Sequence, residues 1–208
     1  MDTSSIAGLL QSYIQLDESR LSAISKYIDL LLKWNARINL TAIREPKEIV
    51  RRHFGESFFA ASHILKTGTI QNAIDLGSGA GFPGVPFAMY APEVSVTLIE
   101  AHQKKATFLR ELVFQLGLKN VTVFADRGEK YGGTADVVTM RAVESFQDAL
   151  PVAANLADSD GKVALLIGSQ QIEAAEKLCN SVKWSTPIGI PESHSRTLLI
   201  GTKIVKVE

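Results

Sequence analysis

The sequence predicts an α/β protein built on a mostly parallel β-sheet, and three observations support this fold class. From residue 69 onward, short apolar segments typical of buried strands alternate with amphipathic segments typical of helices. A glycine-rich turn follows the first of these strand segments. The tail from Trp184 to Val207 contains two extended segments with no helix between them, so the last strand should run antiparallel to the others.

The N-terminal third is predicted to be a helical extension. Apolar residues recur at helical spacing in three segments, residues 4–16, 17–35 and 54–65. Asp17 is a suitable N-cap for the second helix, and Pro46 suits the first turn of a further helix. Because amphipathic helices of this length need a partner for their apolar faces, we expect residues 1–68 to pack on a catalytic domain formed by residues 69–208.

The rest of the chain is predicted to form a seven-stranded sheet. Five parallel strands are predicted at residues 72–76, 94–99, 121–125, 135–140 and 162–167, and the tail adds the last two. Helices are predicted at residues 82–90, 103–117, 145–157 and 169–180. Near-continuous apolar strands indicate that helices cover both faces of the sheet.

Composition narrows the possible partners. The chain has 208 residues, and 22 basic residues balance 22 acidic ones. A neutral protein has no overall cationic field, so nucleic acid would have to bind to a local patch.

No apolar run approaches the roughly 20 residues that a membrane helix needs, and no secretory signal is recognisable. We therefore expect a cytoplasmic protein without a membrane partner. We also expect a monomer, because the sequence reveals no exposed apolar patch.

Metal binding is not expected. Cys179 is the only cysteine, which excludes an internal disulfide and a multi-cysteine metal site, and its surroundings predict a buried, unreactive thiol. The histidines are scattered and lack the spacing of metal ligands: His53, His63, His102 and His194. Only His102, which closely follows Glu100, is a candidate for ligand contact.

The glycine-rich turn carries the strongest functional signal. A short apolar run ends in Asp75, and Gly77, Gly79 and Gly81 follow at every second position. Glycines let the chain bend sharply and let a ligand approach the backbone, as in nucleotide sites between a strand and a helix. Glu100 ends the next predicted strand, 19 residues past Gly81, where an acidic residue binds ribose hydroxyls. These residues predict a ligand that contains adenosine.

Two kinds of cofactor fit this turn. Residues 79–84 match the dinucleotide pattern G-x-G-x-x-G, and residues 75–81 match a methyltransferase pattern in which an acidic residue and one spacer precede G-x-G-x-G. Asp75 would repel a pyrophosphate, whereas it could anchor the turn and face the amino group of a methionine moiety, directly or through water. No tyrosine is followed four residues later by lysine, as it is in many hydride-transfer enzymes.

The antiparallel last strand is also typical of the S-adenosylmethionine methyltransferase fold, which is an argument from fold analogy. Together these features favour S-adenosylmethionine as the cofactor. A nicotinamide-dependent oxidoreductase, another nucleotide site and a vestigial turn remain the alternatives.

A basic segment precedes the turn. Between residues 33 and 53, six basic side chains are opposed only by Glu45 and Glu48. This excess is equally compatible with a solvated helical face and with a phosphate-binding patch. Trp34 could stack on a base, but its place on an apolar helical stripe favours a core position. The basic residues are Lys33, Arg37, Arg44, Lys47, Arg51 and Arg52.

Four motifs together resemble one known family. They are Leu-Lys-Trp-Asn-Ala-Arg-Ile-Asn-Leu-Thr-Ala-Ile-Arg-Glu-Pro at 32–46, Ile-Asp-Leu-Gly-Ser-Gly-Ala-Gly-Phe-Pro-Gly-Val-Pro at 74–86, Lys-Lys-Ala-Thr-Phe-Leu-Arg at 104–110 and Arg-Ala at 141–142. The combination resembles the bacterial 16S ribosomal RNA guanine-N7 methyltransferases, also called glucose-inhibited division protein B. The resemblance implies methyl transfer from S-adenosylmethionine to N7 of a guanine in the decoding-region loop of 16S rRNA, either as free RNA or in the 30S subunit. A noncatalytic rRNA-binding assembly factor is the remaining alternative.

The same resemblance implies roles for individual residues. Gly77 and Phe82 would lie on the cofactor loop, Gly128 and Glu129 would meet the adenine, and Arg141 would lie at the methyl-transfer end of the pocket. The predicted cofactor-binding set is Asp75, Gly77, Gly79, Gly81, Phe82, Glu100, Ala101, His102, Gly128, Glu129 and Arg141. The predicted RNA-binding set is the six basic residues above with Lys104, Lys105 and Arg127.

Ile167 marks a departure from the family. The family pattern Leu-Lys-Gly corresponds here to Leu166-Ile167-Gly168, so a basic residue expected near the mouth of the pocket is missing.

The implied chemistry needs little from the protein. N7 of guanine carries an in-plane lone pair and no proton, so its attack on a methyl group needs no general base. Catalysis would consist of alignment and desolvation. Arg141, the one residue assigned to catalysis, would orient the guanine or its phosphate. The target should be unpaired or presented by a folded particle, because A-form RNA hides N7 in a deep, narrow groove.

Overall fold

The structure, a computed structural model, describes residues 1–143 and 145–204. Its first part is helical and consists of α1 (Thr3–Leu10), α2 (Glu18–Asn35), α3 (Pro46–Glu48), a π-helical turn (Ile49–Gly55) and α4 (Glu56–Ile64). The Asp17 carboxylate caps α2 by accepting the Arg20 N–H, and Pro46 begins α3, which confirms both sequence signals. The helices predicted at Pro46 and at residues 54–65 form one continuous segment, because Ile49 and Val50 face the core and keep the intervening turn helical.

Eight strands and four further helices follow in the described part of the chain. The strands are β1 (Asn72–Leu76), β2 (Ser95–Ile99), β3 (Val121–Phe124), β4 (Ala135–Arg141), β5 (Ala157–Gly168), β6 (Val182–Trp184), β7 (Ile188–Gly189) and β8 (Arg196–Lys203). The helices are α5 (Gly84–Tyr90), α6 (Gln103–Leu116), α7 (Phe146–Leu156) and α8 (Ile172–Leu178). The predicted tail reaches Val207, and its last residues, from 205 onward, lie outside the described residues.

The strands form one sheet in the order β3-β2-β1-β4-β5-β8-β6. Strands β1 to β5 are parallel, and β8 is antiparallel to β5 and β6. The predicted α/β class, parallel sheet and antiparallel last strand are therefore confirmed. The two-residue β7 also pairs with β8, so the sheet has one strand more than the seven predicted. Pro187 separates β6 from β7, because proline cannot donate a hydrogen bond to the sheet.

Helices cover both faces of the sheet. One hydrophobic core joins Ala73 and other residues on one face to the N-terminal helices, through side chains such as Ile6, Ile28 and Phe54. The other core joins Ile74 and its neighbours to α7 and α8. Adjacent residues of a strand point to opposite faces, which explains why Ala73 and Ile74 enter different cores. The N-terminal helices thus share a core with the sheet, and the domain division at residue 68 stays a prediction. Within the described residues, no helix has the length and apolar character needed to cross a membrane.

Candidate active site

A large cavity lies at the carboxyl ends of the parallel strands, the edge at which open α/β sheets bind ligands. Its volume is about 1220 Å³. The predicted site residues that line it are Gly77, Gly79, Phe82, Glu100, Ala101, His102, Gly128, Glu129, Arg141, Arg44, Lys105 and Arg127. The predicted site residues that do not line it are Asp75, Gly81, Lys33, Arg37, Lys47, Arg51, Arg52 and Lys104.

The glycine turn forms the wall that follows β1. The N–H groups of Gly77 and Ser78 both donate to the Ile99 carbonyl oxygen, at 2.9 and 3.0 Å, and so tie the turn to the end of β2. Gly77, Gly79 and Gly81 all have positive φ, a conformation that other residues rarely adopt. The glycines therefore fix the path of the backbone along the cavity wall.

The N-terminal helices support this turn from behind. Tyr27 of α2 is fully buried, and its hydroxyl donates to the Ala80 carbonyl oxygen at 2.5 Å. The same hydroxyl occupies the space that a Cβ on Gly81 would need. The Tyr27 ring also stacks on Phe82, with ring centroids 5.1 Å apart. Gly81 therefore serves the packing of α2 against the turn and does not face the cavity.

Asp75 lies beneath the turn. Its side chain is 1% exposed, Oδ1 accepts the Thr139 hydroxyl at 2.8 Å, and Oδ2 accepts the Gly84 N–H at 3.1 Å. Burial raises the pKa of this carboxyl from its ordinary 3.8 to about 6. Asp75 thus anchors the start of α5 from below and does not face the ligand space directly.

Glu100 follows β2 and faces the cavity. Its Oε2 accepts the Gly79 N–H at 2.9 Å, and its Oε1 accepts the His102 N–H at 2.7 Å. A carboxylate has about four acceptor positions, so each oxygen of Glu100 can still accept a hydroxyl group. Ala101 and His102 are exposed beside it. The arrangement suits the paired hydroxyls of a ribose.

Gly128 and Glu129 form the wall beyond β3. Gly128 is buried against Leu76 and Val152, whose side-chain carbons lie 2.6 and 3.0 Å from the position that a Cβ on residue 128 would take. Glu129 is exposed on the same wall. An apolar surface beside a carboxylate suits the face and the polar edge of a purine base.

Arg141, the last residue of β4, lines the cavity where this strand ends and belongs to a buried ionic cluster. Its Nη2 donates to the Arg52 carbonyl oxygen at 2.7 Å and lies 3.2 Å from Oε2 of Glu56. Glu56 is 1% exposed, and its Oε1 accepts Nε–H of Arg196 at 2.5 Å. Burial lowers the pKa of Arg141, and Glu56 opposes this shift. The side chain expected at the methyl-transfer end of the pocket is therefore held by two acceptors.

His53 lies beside this cluster and lines the cavity. Its ring stacks on Phe82, with centroids 4.7 Å apart, and Nε2 lies 2.8 Å from the Thr41 hydroxyl. Burial, with help from the nearby guanidinium groups of Arg141 and Arg52, holds the pKa of His53 well below its usual value. The imidazole is therefore neutral near pH 7.

The predicted RNA-binding residues differ in their surroundings. Arg51 lies 3.6 Å from Glu48 and 3.5 Å from Glu192, so acidic side chains surround its guanidinium. Arg52 is partly buried, and its Nε is inaccessible. The exposed members of the set are Lys33, Arg37, Arg44, Lys47, Lys104 and Arg127.

Three other positions test smaller expectations. Ile167 is 5% exposed in the core beneath α7 and α8, so the departure from the family pattern lies outside the cavity wall. Trp34 is half-buried, and its Nε1 donates to Glu111 at 3.1 Å. Cys179 is buried. Among the residues that the structure describes, no three His, Cys, Asp or Glu side chains come together as a metal site would require.

Sequence reasoning missed Glu56 and Arg196. One signal was available for Glu56, a single acidic residue within the apolar and aromatic stretch of residues 54–61. A charge in such a run is rarely buried without a partner. Nothing in the sequence indicated Arg196 as that partner, because 140 positions separate the two residues.

Solved structures establish the fold. A SAM-dependent methyltransferase from Aquifex aeolicus matches with a TM-score of 0.59 over 85% of this chain and 98% of that chain, at 15% identity. The ribosomal protein L11 methylase from Lactobacillus delbrueckii subsp. bulgaricus matches with a TM-score of 0.61 over 74% of this chain and 79% of that chain, at 16% identity. At these identities the likeness shows the fold alone, which is that of the SAM-dependent methyltransferases.

Sequence relatives establish the family. Residues 20–194 match the family model GidB, described as rRNA small subunit methyltransferase G. The ribosomal RNA small subunit methyltransferase G of Chromobacterium violaceum is 36% identical over 188 residues, which cover 88% of each chain. The protein of the same name from Xylella fastidiosa strain 9a5c is 39% identical over 158 residues, 75% of this chain and 73% of its own. The chain therefore belongs to the GidB family of methyltransferases. The predicted resemblance and enzyme class are confirmed, and the oxidoreductase alternative is set aside.

Proposed function

We propose that this protein uses S-adenosylmethionine to methylate N7 of a guanine in the decoding-region loop of 16S rRNA. One observation carries the proposal. A single cavity joins a ribose-type acceptor, Glu100, to a buried cationic end built around Arg141. The first suits an adenosine cofactor, and the second suits an anionic or carbonyl oxygen of a substrate or of the cofactor.

The residues present fit this cofactor. Glu100 would bind the ribose hydroxyls, and the apolar wall at Gly128 with Glu129 would bind the adenine. The turn from Gly77 to Gly79 would place backbone groups against the methionine part, because glycine lets a ligand approach the chain closely. When bound, S-adenosylmethionine supplies a methyl group on a positively charged sulfur.

The protein's own groups would orient the guanine and exclude water. N7 has no proton to lose, so no side chain needs to act as a base. His53 is neutral and Arg141 is a donor, and O6 of guanine is an acceptor beside N7. Adenine carries an amino group at that position, which Arg141 cannot bind by donating to it. This end of the cavity would therefore favour guanine over adenine.

The RNA backbone would contact exposed basic residues around the opening. Arg44, Lys105 and Arg127 line the cavity itself. Lys33, Arg37, Lys47 and Lys104 would extend the contact over the neighbouring surface. Arg51 and Arg52 would not contact the RNA. Glu48 and Glu192 surround the guanidinium of Arg51, and Arg52 is partly buried. One chain carries every residue of this site, so we propose that the active form is a monomer and that it works in the cytoplasm, where ribosomes are assembled.

Calorimetry and methyl transfer test the proposal. Titration with S-adenosylmethionine should release or absorb heat at one site, whereas NADH should give none. Labelled methyl groups should then transfer to 30S subunits that lack this modification, or to naked 16S rRNA if the loop alone is the substrate. Binding of the cofactor without transfer to either RNA would instead support the noncatalytic assembly factor.

A further inference from the structure

Buried polar atoms without a hydrogen-bond partner concentrate at one place. In the described part of the chain there are five such side-chain atoms, and four of them lie in the Arg141 cluster. Buried polar groups in proteins are almost always paired, so a concentration of exceptions calls for a physical cause. The four are Arg52 Nε, His53 Nδ1, Arg141 Nη1 and Glu56 Oε2. The last of these makes no hydrogen bond but lies 3.2 Å from Nη2 of Arg141 in an ion pair.

The cluster also has an excess of positive charge. Arg52, Arg141 and Arg196 bring three guanidinium groups, whereas Glu56 is the carboxylate that pairs with two of them. The low pKa of His53 keeps its ring from adding a further charge. The next carboxyl group, that of Asp75, is already engaged by Thr139 and Gly84. Buried charges are stable only when they are paired, so an anionic oxygen from a ligand would balance the positive charge of the cluster.

Glu56 determines how Arg141 presents its remaining donors. Oε1 of Glu56 is engaged by Arg196, which leaves Oε2 beside Nη2 of Arg141. Nη2 also donates to the Arg52 carbonyl oxygen. A guanidinium group is planar, so fixing Nη2 between two acceptors also fixes the plane of the whole group.

We propose that Glu56 is a positioning residue: with Arg196 as its second anchor, it holds the guanidinium of Arg141, a residue that lines the cavity, in the orientation that binds an anionic oxygen of a ligand. The idea rests on the proposed function for the identity of the ligand. This oxygen would belong either to the carboxylate of the methionine moiety or to a phosphate of the RNA. Both supply an anionic oxygen in the same chemical form.

Four variants and one control distinguish a positioning role of Glu56 from a purely structural one, and the fourth variant, Glu56→Asp, tests whether the charge alone restores function. Glu56→Gln keeps the shape of the side chain and removes its charge, Arg141→Gln removes the donor, and the double variant combines them. The control is Asp136→Asn, since Asp136 is a structural carboxylate that accepts the N–H groups of Gln71 and Asn72 at the opposite edge of the sheet. Thermal unfolding of each variant reports its loss of stability.

Ligand binding then distinguishes the two sources. If the oxygen belongs to the methionine moiety, Glu56→Gln should weaken binding of S-adenosylmethionine by roughly 10- to 100-fold, the effect of losing one hydrogen bond between charged groups. Binding of 5′-methylthioadenosine, which lacks the carboxylate, should not change. If the oxygen belongs to RNA, cofactor binding should stay the same, and the KM for 30S subunits should rise by a similar factor.

In either case the double variant should be no worse than Arg141→Gln, because Glu56 acts through Arg141. Glu56→Asp, which keeps the charge, should recover part of the loss. The proposal would be overturned if Glu56→Gln weakened the binding of S-adenosylmethionine and of 5′-methylthioadenosine equally, and if Asp136→Asn did the same at an equal loss of stability. Additive effects of the two substitutions in the double variant would also overturn it. Binding of S-adenosylmethionine and of 5′-methylthioadenosine can be measured even if no RNA is methylated. Failure of the proposed function can therefore be distinguished from failure of the positioning role.

Discussion

The two ends of the cavity differ in how completely their polar groups are satisfied. At the glycine-turn end, both oxygens of Asp75 and both oxygens of Glu100 accept hydrogen bonds from the protein. At the Arg141 end, four buried polar atoms make no hydrogen bond among the described residues, although one of them, Oε2 of Glu56, lies 3.2 Å from Nη2 of Arg141 in an ion pair. The polar groups of the glycine-turn end are therefore paired within the protein, whereas the Arg141 end carries an excess of positive charge that a ligand anion would balance.

This difference assigns different tasks to the two ends. A preorganised site loses little entropy when its ligand binds, which suits a cofactor that must be held in one pose. A cluster with excess positive charge gains a balancing anion only from the right ligand, which suits selection of a substrate. We expect substitutions at the glycine-turn end to act mainly on stability, and substitutions at the Arg141 end to act mainly on activity.

The largest expected effect is that of Gly81→Ala. The new methyl group would overlap the Tyr27 hydroxyl and would sit on a residue with φ of 91°. Steric strain in the backbone and overpacking together should lower the free energy of unfolding by about 4 kcal/mol, measured by urea denaturation.

Gly79→Ala is the matched control for this change. It also has positive φ, but its Cβ would meet only a backbone oxygen at 3.7 Å. It should cost only about 1 kcal/mol. Equal losses in the two variants would show that Tyr27 does not support the turn.

Asp75→Asn should change how stability depends on pH. The folded state raises the pKa of Asp75 from 3.8 to about 6, so folding holds this proton more tightly than the unfolded chain does. The stabilising contribution is full below about pH 4 and is lost as the pH rises through 6. Because asparagine does not titrate, the stability of the variant relative to the wild type should increase by roughly 2 kcal/mol from pH 4 to pH 7. A constant difference over this range, measured by urea denaturation at each pH, would contradict the buried position of this carboxyl group.

Arg141→Lys should reduce activity more than stability. Lysine keeps the charge, but it cannot bind Glu56, the Arg52 carbonyl oxygen and a ligand with one planar group. We expect methyl transfer to 30S subunits to fall by roughly 100-fold, with a shift in Tm no larger than that of Gly79→Ala. A variant with normal transfer would show that the Arg141 end does not select or orient a ligand.

The smallest expected effect concerns the rim of the cavity. Arg44→Glu places a negative charge beside the opening, and the KM for 30S subunits should rise by roughly 10-fold at low salt and less at high salt. Arg51→Glu is the matched control, because Glu48 and Glu192 already surround that position. A larger effect from Arg51 than from Arg44 would move the RNA path away from the cavity.

Much of the fold follows from local patterns in the sequence. The apolar runs gave β1, β2 and β4 within a residue or two, and helix signals at Asp17 and Pro46 marked real helix starts. The π-helical turn that joins α3 to α4 was not predictable, because it depends on the tertiary packing of Ile49, Val50 and Phe54. The short strand β7 escaped prediction for the same reason, since only its pairing with β8 defines it.

The site was predictable only in part. Spacing placed Glu100 and the glycines at one edge of a sheet, but it could not show that Asp75 and Gly81 turn away from the cavity. Residue type suggested that Arg51 and Arg44 are equivalent, and only the fold brings Glu192 to one of them. The Arg141 end depends on contacts among residues 52, 56, 141 and 196, which lie far apart in the chain.

Chemical mapping of the modified base tests the central claim most directly. 30S subunits that lack the modification would be incubated with the protein and S-adenosylmethionine, and the 16S rRNA would then be treated with borohydride and aniline, which cleave RNA at N7-methylguanosine. We predict one new cleavage, at an unpaired guanine of the decoding-region loop, and none with Arg141→Gln. Methylation at a different atom, or at paired guanines throughout the RNA, would contradict the account.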